Sequence, residues 1–328
     1  MPIDPALEPI LAQLQPLPDE LDDIDGIRAM NETVAAGMVG ALVEPGPEVR
    51  DSRAYTVKVA GGTIEVLVYQ PFEPGPHPAH LFLHGGGWAF GSPRWAVVDV
   101  ASRERCAGAG CVVIAADYRK APEHPFPAAI EDCYTVLHWI VEHADELGIR
   151  ADLITVGGQS AGANLAAALA LKVRDEGGPR IALQLLEVPA LDLTLSLPSH
   201  AELDGYALTR HDAEILLRLY FANLDAARDS YASPLHALDL AGLPPAHIMT
   251  AEYDMLRDDG AQYAARLAEA GVPVTHSMYP GQVHISPALT QLMESSREWR
   301  RELLAVLKNA HAGGALRTHL ARGTATSG

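Results

Sequence analysis

From about residue 54 onward, short apolar runs alternate with longer stretches in which apolar residues recur every three or four positions. Eight segments carry the strand pattern: AYTVKVA, TIEVLVYQ, HLFLH, CVVIAADY, LITVGG, IALQLLEVPA, HIMTAEYD and PVTHSMY. The first two flank Gly61-Gly62 and predict a hairpin. Helical patterns fall between most of the others, at about 94–107, 127–146, 161–176, 258–271 and 287–311. Near-continuous apolar strands separated by amphipathic helices predict an α/β fold, with a mostly parallel eight-stranded sheet flanked by helices on both faces.

Two regions depart from the alternation. Residues 1–50 mix Pro, Asp and short apolar segments and predict one or two short helices ahead of the first strand. Residues 192–245 hold loops, Pro-rich turns and one helix near 211–222, an insertion over one end of the sheet. The final residues, 312–328, lack an apolar pattern and predict a flexible tail. Length alone would allow two domains, but α/β units of 328 residues often form one.

Composition narrows the function. At 48% hydrophobic residues the chain can bury a large core, so a disordered protein is excluded. The formal net charge of −18 repels phosphate backbones and anionic lipid, which argues against a nucleic-acid partner. The start MPIDPALEPILAQLQPLPDE does not read as a signal peptide, and no apolar run is long enough for a membrane span. Cys106, Cys111 and Cys133 are too few for a disulfide framework, and a cytoplasmic location is expected.

The strongest local signal is Gly158-Gln159-Ser160-Ala161-Gly162, which follows an apolar strand and opens the run ANLAAALALKV. A serine at a tight strand-to-helix turn has its hydroxyl exposed, and the turn brings its neighbours at plus and minus two so close that glycine is required. The hydroxyl needs a base. In this arrangement the acid and the histidine follow the serine in the chain, each at the end of a strand. Asp254 ends HIMTAEYD, and His284 closes PVTHSMYPGQVH. Asp258 and Asp259 are rivals better explained by helix capping, and His276 is a rival inside a strand. After HLFLH comes His84-Gly85-Gly86-Gly87-Trp88, whose unobstructed N–H groups could face a developing oxyanion together with that of Ala161. No Lys-Ser/Thr follows, so a phosphate cradle is disfavoured. The 14 histidines are scattered; His80 and His84 bracket a strand, and neither a metal nor another cofactor is implied.

In order, HGGGW at 84–88, DYRKAPEHPFPAA at 117–129, GGQSAGANLAAALA at 157–170, YDMLRDDG at 253–260 and the His284 segment resemble the hormone-sensitive-lipase-like family of bacterial esterases. The resemblance spans about residues 50–310. It implies an α/β-hydrolase fold and a carboxylic ester hydrolase acting on small esters of short to medium acyl chain. It further implies Ser160 as nucleophile, Asp254 as orienting acid, His284 as base, and Gly86, Gly87 and Ala161 as oxyanion donors. Asp117, Arg119 and Glu123 would buttress the loop near the site. Residues 1–50 and 192–245 would build a helical cap on a catalytic domain of 51–311, and a homodimer is plausible for the family. An acyltransferase or amidase using the same three residues, and a non-catalytic binder, are the competing classes.

Four positions depart from the family pattern. Gln159 replaces the common Asp, Lys120 the usual Leu, Ile285-Ser286 the common Gly-Phe, and Glu187 an apolar residue. A carboxylate in the apolar strand ALQLLEVPAL is costly without hydrogen bonds. It is expected either to reach water or a loop amide at the strand's end, or to accept a hydrogen bond from the nucleophile loop near Gln159. His84, Gln159 and Glu187 are therefore candidates for supporting roles around the site.

Overall fold

The computed structural model describes residues 2–19, 21 and 23–320. Two helices precede the sheet, α1 (Glu8–Leu11) and α2 (Ile24–Met38), and Asp23 caps the second by accepting from the Gly26 N–H at 2.8 Å. The strands are β1 (Asp51–Val59), β2 (Gly62–Gln70), β3 (His77–Leu83), β4 (Val112–Ala116), β5 (Ile149–Gln159), β6 (Ile181–Glu187), β7 (Ala246–Tyr253) and β8 (Val274–Val283). They form one eight-stranded sheet in the order β1-β2-β4-β3-β5-β6-β7-β8. The predicted hairpin joins β1 to β2, β2 is antiparallel to β4, and every other pair is parallel.

The helices between the strands are α3 (Ala96–Ala109), α4 (Ala128–Glu142), α5 (Ala144–Leu147), α6 (Ala161–Glu176), α7 (Ser199–Glu202), α8 (Arg210–Tyr220) and α9 (Arg257–Glu269), and α10 (Glu294–His311) follows β8. Burial assigns the layers. Side chains of α4, α6 and α9 share a core with Leu81, Ile114, Val156 and Ile248 on one face of the sheet. On the other face α3 packs on Leu67, Phe82 and Val113, and α10 packs on Leu183, Leu185 and Met249. Helix α6 is buried from Ala161 to Val173, and its alanines let it lie close to the central strands.

Three boundaries differ from the sequence pattern. The last helix begins at Glu294 rather than near 287, because Pro287 sits in a separate single turn, Ser286–Ala288. The predicted helix 127–146 is two helices, broken at His143. Residues expected to belong to a flexible tail instead reach the free edge of the sheet: His319 bridges Thr275, its N–H donating to Val274 O at 2.9 Å and its carbonyl accepting from the His276 N–H at 2.8 Å. Residues 321–328 of that tail lie outside the described residues. Among the described residues no helix is long and apolar enough to cross a membrane.

Several histidines are buried in or beside the sheet. His80 Nδ1 and His311 Nε2 share the Thr155 hydroxyl, at 2.9 and 3.1 Å. His247 Nδ1 meets Thr275 Oγ1 at 2.6 Å, and His276 Nε2 meets Thr250 Oγ1 at 2.8 Å. Burial disfavours the charged imidazolium, pushing His247, His276 and His311 down to about 4 and His80 well below the ordinary value. In the unfolded chain the same groups titrate near about 6.5. Between those values the unfolded state binds more protons, so their stabilisation is complete above pH ~6.5 and is lost as pH falls toward ~4. Urea unfolding across that window should show this loss. In a His311→Gln variant the slope should be shallower by up to about 1.4 kcal/mol per pH unit, and an unchanged slope would show that His311 does not titrate there.

Candidate active site

The turn that carries Ser160, the expected nucleophile, is shaped by close approach of backbones. Ser160 lies between β5 and α6 with φ 54° and ψ −119°, a conformation that costs a non-glycine residue about 1–3 kcal/mol. A Cβ built on Gly158 would lie 2.4 Å from Leu83 O, and one on Gly162 only 2.0 Å from the same oxygen. The end of β3 thus passes between the two positions where the sequence demands glycine. Ser160 N–H donates to Glu187 O at 2.9 Å, and Ser160 O accepts from the Asn164 N–H at 3.0 Å.

Asp254 follows β7 and His284 follows β8, so both arrive at the carboxyl end of the sheet where Ser160 leaves β5. His284 Nδ1 lies 2.7 Å from Asp254 Oδ2, and its Nε2 lies 3.0 Å from Ser160 Oγ. The carboxylate can only accept, so Nδ1 donates and the lone pair of Nε2 faces the serine hydroxyl. Asp254 is 1% exposed at its side chain and its other oxygen accepts from the Leu256 N–H at 3.0 Å, whereas the imidazole of His284 retains 13% exposure.

The rivals lie elsewhere. Asp258 accepts from the Ser199 N–H at 3.0 Å. Asp259 is paired with buried His200 at 2.7 Å and accepts from the N–H groups of Leu191 and Asp192. His276 is held against Thr250 inside the sheet.

The Gly-rich loop after β3 runs beside this turn. A Cβ on Gly85 would lie 3.5 Å from Ser160 Cβ. Gly86 and Gly87 have φ of 121° and 58°. Among the described residues, no hydrogen bond runs from the N–H of Gly86, Gly87 or Ala161. Ala161 begins α6, where the first-turn N–H groups have no partner within the helix. His84 anchors the loop: its Nδ1–H donates to Gly85 O at 2.8 Å, its ring stacks on Tyr118, and Tyr118 OH donates to His84 O at 2.8 Å. Burial pushes His84 down to about 3, so it stays neutral.

The segment 117–129 braces the surroundings. Arg119 is bidentate on Asp132, Lys120 pairs with Asp117 at 2.5 Å, and Glu123 pairs with Arg28 of α2 at 2.7 Å. Arg28 also donates to the carbonyls of Ala89 and Ala121 at 3.0 and 2.9 Å, tying α2 to the Gly-rich loop.

Glu187 departs from both expectations. Its carboxylate is buried, paired with Arg105 of α3 and accepting from Trp299 Nε1 of α10 at 2.8 Å. It meets neither a loop amide nor the side chain of Gln159; the nucleophile turn bonds its backbone carbonyl instead. Gln159 is its register partner across the sheet, and both side chains border a cavity of about 60 Å³ between α3 and α10. Arg105 and Trp299 were not singled out in the sequence. Val98, Ser102, Arg105 and Cys106 do share the buried stripe of α3, a spacing that marks an arginine in need of a buried partner.

Similarity to known proteins agrees with this geometry. A family model described as alpha/beta hydrolase fold matches residues 80–287. Carboxylesterase NlhH of Mycobacterium tuberculosis is 38% identical over 93% of this chain and 97% of its own length. Esterase LipI of the same organism is 37% identical over 88% and 92%. The structure of a hyperthermophilic esterase from the archaeon Pyrobaculum calidifontis superposes with a TM-score of 0.88 at 36% identity, covering 94% of this chain and 99% of that one. The chain belongs to the alpha/beta hydrolase fold family, in the hormone-sensitive-lipase-like group of esterases that its motifs resemble.

The close approach at β3 gives a direct prediction. Gly162→Ala forces a methyl onto Leu83 O and should cost roughly 1–3 kcal/mol of stability together with most of the ester turnover. Gly37→Ala in α2, where a Cβ meets nothing within 4 Å, should be neutral or stabilising by up to about 1 kcal/mol. Thermal unfolding and turnover measured on both variants check the contrast.

Proposed function

We propose that this chain hydrolyses carboxylic esters of short to medium acyl chain by an acyl-enzyme mechanism. The observation that carries the reading is the line Ser160 Oγ, His284 Nε2, His284 Nδ1, Asp254 Oδ2, together with the N–H groups of Gly86, Gly87 and Ala161, which have no hydrogen-bond partner among the described residues. In the first half-reaction Ser160 Oγ attacks the ester carbonyl carbon while its proton passes to His284 Nε2. The carbonyl oxygen becomes an oxyanion, stabilised by the N–H groups of Gly86, Gly87 and Ala161. Asp254 keeps the imidazole oriented and stabilises its charged form. His284 then gives the proton to the leaving alkoxide oxygen as the carbon–oxygen bond breaks. Water repeats the sequence on the acyl-enzyme: its proton goes to His284, its oxygen to the acyl carbon, and the proton returns to Ser160 Oγ as the acid leaves.

Residues 1–50 and 192–245 form the cap in this reading. Its support is that a Cβ on Gly87 would lie 2.5 Å from the Leu216 side chain of α8, and that Asp212 Oδ1 accepts from the Leu17 N–H at 2.6 Å. The cap shapes the acyl and alcohol pockets, and Arg28 pins its first part to the catalytic domain.

Ser160→Ala should lose nearly all turnover of p-nitrophenyl esters while remaining folded, and a variant keeping more than about a tenth of the wild-type kcat would overturn the assignment. Across a chain-length series, kcat/KM should be highest for short and medium acyl groups and fall for palmitate. A flat or reversed series would remove the substrate class. The base must be neutral to take the proton, so kcat/KM should fall toward acid pH. A residually active His284→Ala enzyme showing the same acid limb would mean that another group controls it.

Arg28 holds the Glu123 carboxyl down to about 2, so this pin persists at every pH where the enzyme is assayed. Arg28→Ala should therefore raise KM about fivefold or more at neutral pH with kcat within about twofold. An unchanged KM would show that the pin does not shape binding.

A further inference from the structure

We infer that buried Arg105, Glu187 and Trp299 form a positioning device for the nucleophile turn, setting the rate of ester cleavage without touching substrate. The inference rests on Ser160 being the nucleophile. Its starting point is one peptide unit. The carbonyl of Glu187 accepts from the Ser160 N–H at 2.9 Å, and the N–H on the other side of the same unit, that of Val188, donates to Met249 O at 2.8 Å. The Glu187–Val188 peptide thus links the turn that carries the serine to β7, the strand that delivers Asp254.

Both residues it steadies are strained. Ser160 has φ 54° and buried Val188 has φ 42°, and a β-branched side chain at positive φ is a true outlier. Such conformations persist only where the surroundings over-determine them. If this peptide rotated to relieve Val188, the Ser160 N–H would lose its acceptor and Oγ would leave its place opposite His284.

The Glu187 side chain prevents that rotation. Its carboxylate is gripped from two helices, by the Arg105 guanidinium of α3 and by Trp299 Nε1 of α10 at 2.8 Å. Arg105 is fixed in turn: it donates to Ala101 O at 2.9 Å and lies over the Phe82 ring at 4.1 Å, and Phe82 is the register partner of Gly157 in the strand leading to Ser160. Arg105 and Glu187 are 4% and 2% exposed, so neither reaches substrate or solvent. A buried ion pair is a poor source of net stability, since its desolvation cost offsets its attraction. Orientation is the property this pair can supply.

The test replaces both charges by neutral groups that can still hydrogen-bond. R105Q/E187Q should lower kcat about tenfold or more with KM within about twofold, and should slow phosphonylation of Ser160 by an active-site-directed phosphonate by a similar factor. All rates are normalised to folded protein by circular dichroism and unfolding. Wild-type kcat in the folded double variant overturns the inference, as does a rise in KM with kcat unchanged. If the double variant does not fold, Trp299→Phe carries the test, because it removes one donor and leaves the ion pair. A fall in kcat of about threefold or more at constant KM supports the inference, and an unchanged kcat overturns it. Ser160→Ala, run alongside, separates the two levels: activity in that variant defeats the nucleophile assignment itself, whereas an inactive Ser160→Ala with a fully active R105Q/E187Q defeats only the positioning device.

Discussion

The carbonyl of Leu83, at the end of β3, occupies the space that side chains at 158 and 162 would need. This contact brings β3 and the start of α6 together, and two further consequences follow from it. Ser160 must turn through a positive φ to pass from strand to helix in so little room, which lifts its hydroxyl clear of the sheet. The Gly-rich loop continuing from β3 is carried alongside the same turn, where a Cβ on Gly85 would lie 3.5 Å from Ser160 Cβ. In the proposed mechanism, a nucleophile and an oxyanion site built on main chain that is held in this way leave little reorganisation for the moment of reaction.

The turn is expensive, and the rest of the site is arranged around holding it. Parallel pairing places β5, β6, β7 and β8 side by side, so Ser160, the Glu187 peptide, Asp254 and His284 emerge at one end in spatial order. Each is fixed from the neighbouring strand: Ser160 by Glu187 O, Val188 by Met249 O, and His284 by Asp254. Helices α3 and α10 lie on the face away from α6 and reach Glu187 from behind. In the positioning inferred above, this packing layer is part of how the serine is aimed.

What the sequence disclosed and what it concealed follow from the range of the interactions. Strand alternation, the Gly61-Gly62 hairpin and the glycines around Ser160 are written within a few neighbouring residues, and each element is found where its pattern predicts it. The start of α10 is masked in the sequence because an apolar pattern continues through 286–293, where Pro287 and a single tight turn interrupt the helix. The bridge from His319 to β8 is not legible in the sequence because strand pairing at an edge uses main-chain groups, which a polar sequence does not reveal. Glu187 was visible as an anomaly in an apolar strand, but its partners lie 82 and 112 residues away, so nothing local could name them. The expectation of a bond to the nucleophile loop found the right neighbour and the wrong atom: main chain rather than carboxylate.

The histidines show why position in the sheet decides role. His84 stands at the start of the Gly-rich loop, yet it is buried, stacked on Tyr118 and committed to Gly85 O. Burial holds it neutral down to about pH 3, so it cannot become the cation that accepts the serine proton. His276 and His247 are similarly enclosed within β8 and β7 and held low by burial, even though Glu302 lies 3.4 Å from His247 Nε2. His284 differs in having left the strand. It keeps partial exposure on one side and the Asp254 carboxylate on the other, so in the proposed mechanism the imidazolium formed during attack has both a counter-charge and solvent within reach. A base that must cycle between neutral and charged on every turnover can be built only at such a boundary, where the sheet supplies the carboxylate and the open end of the sheet supplies the dielectric.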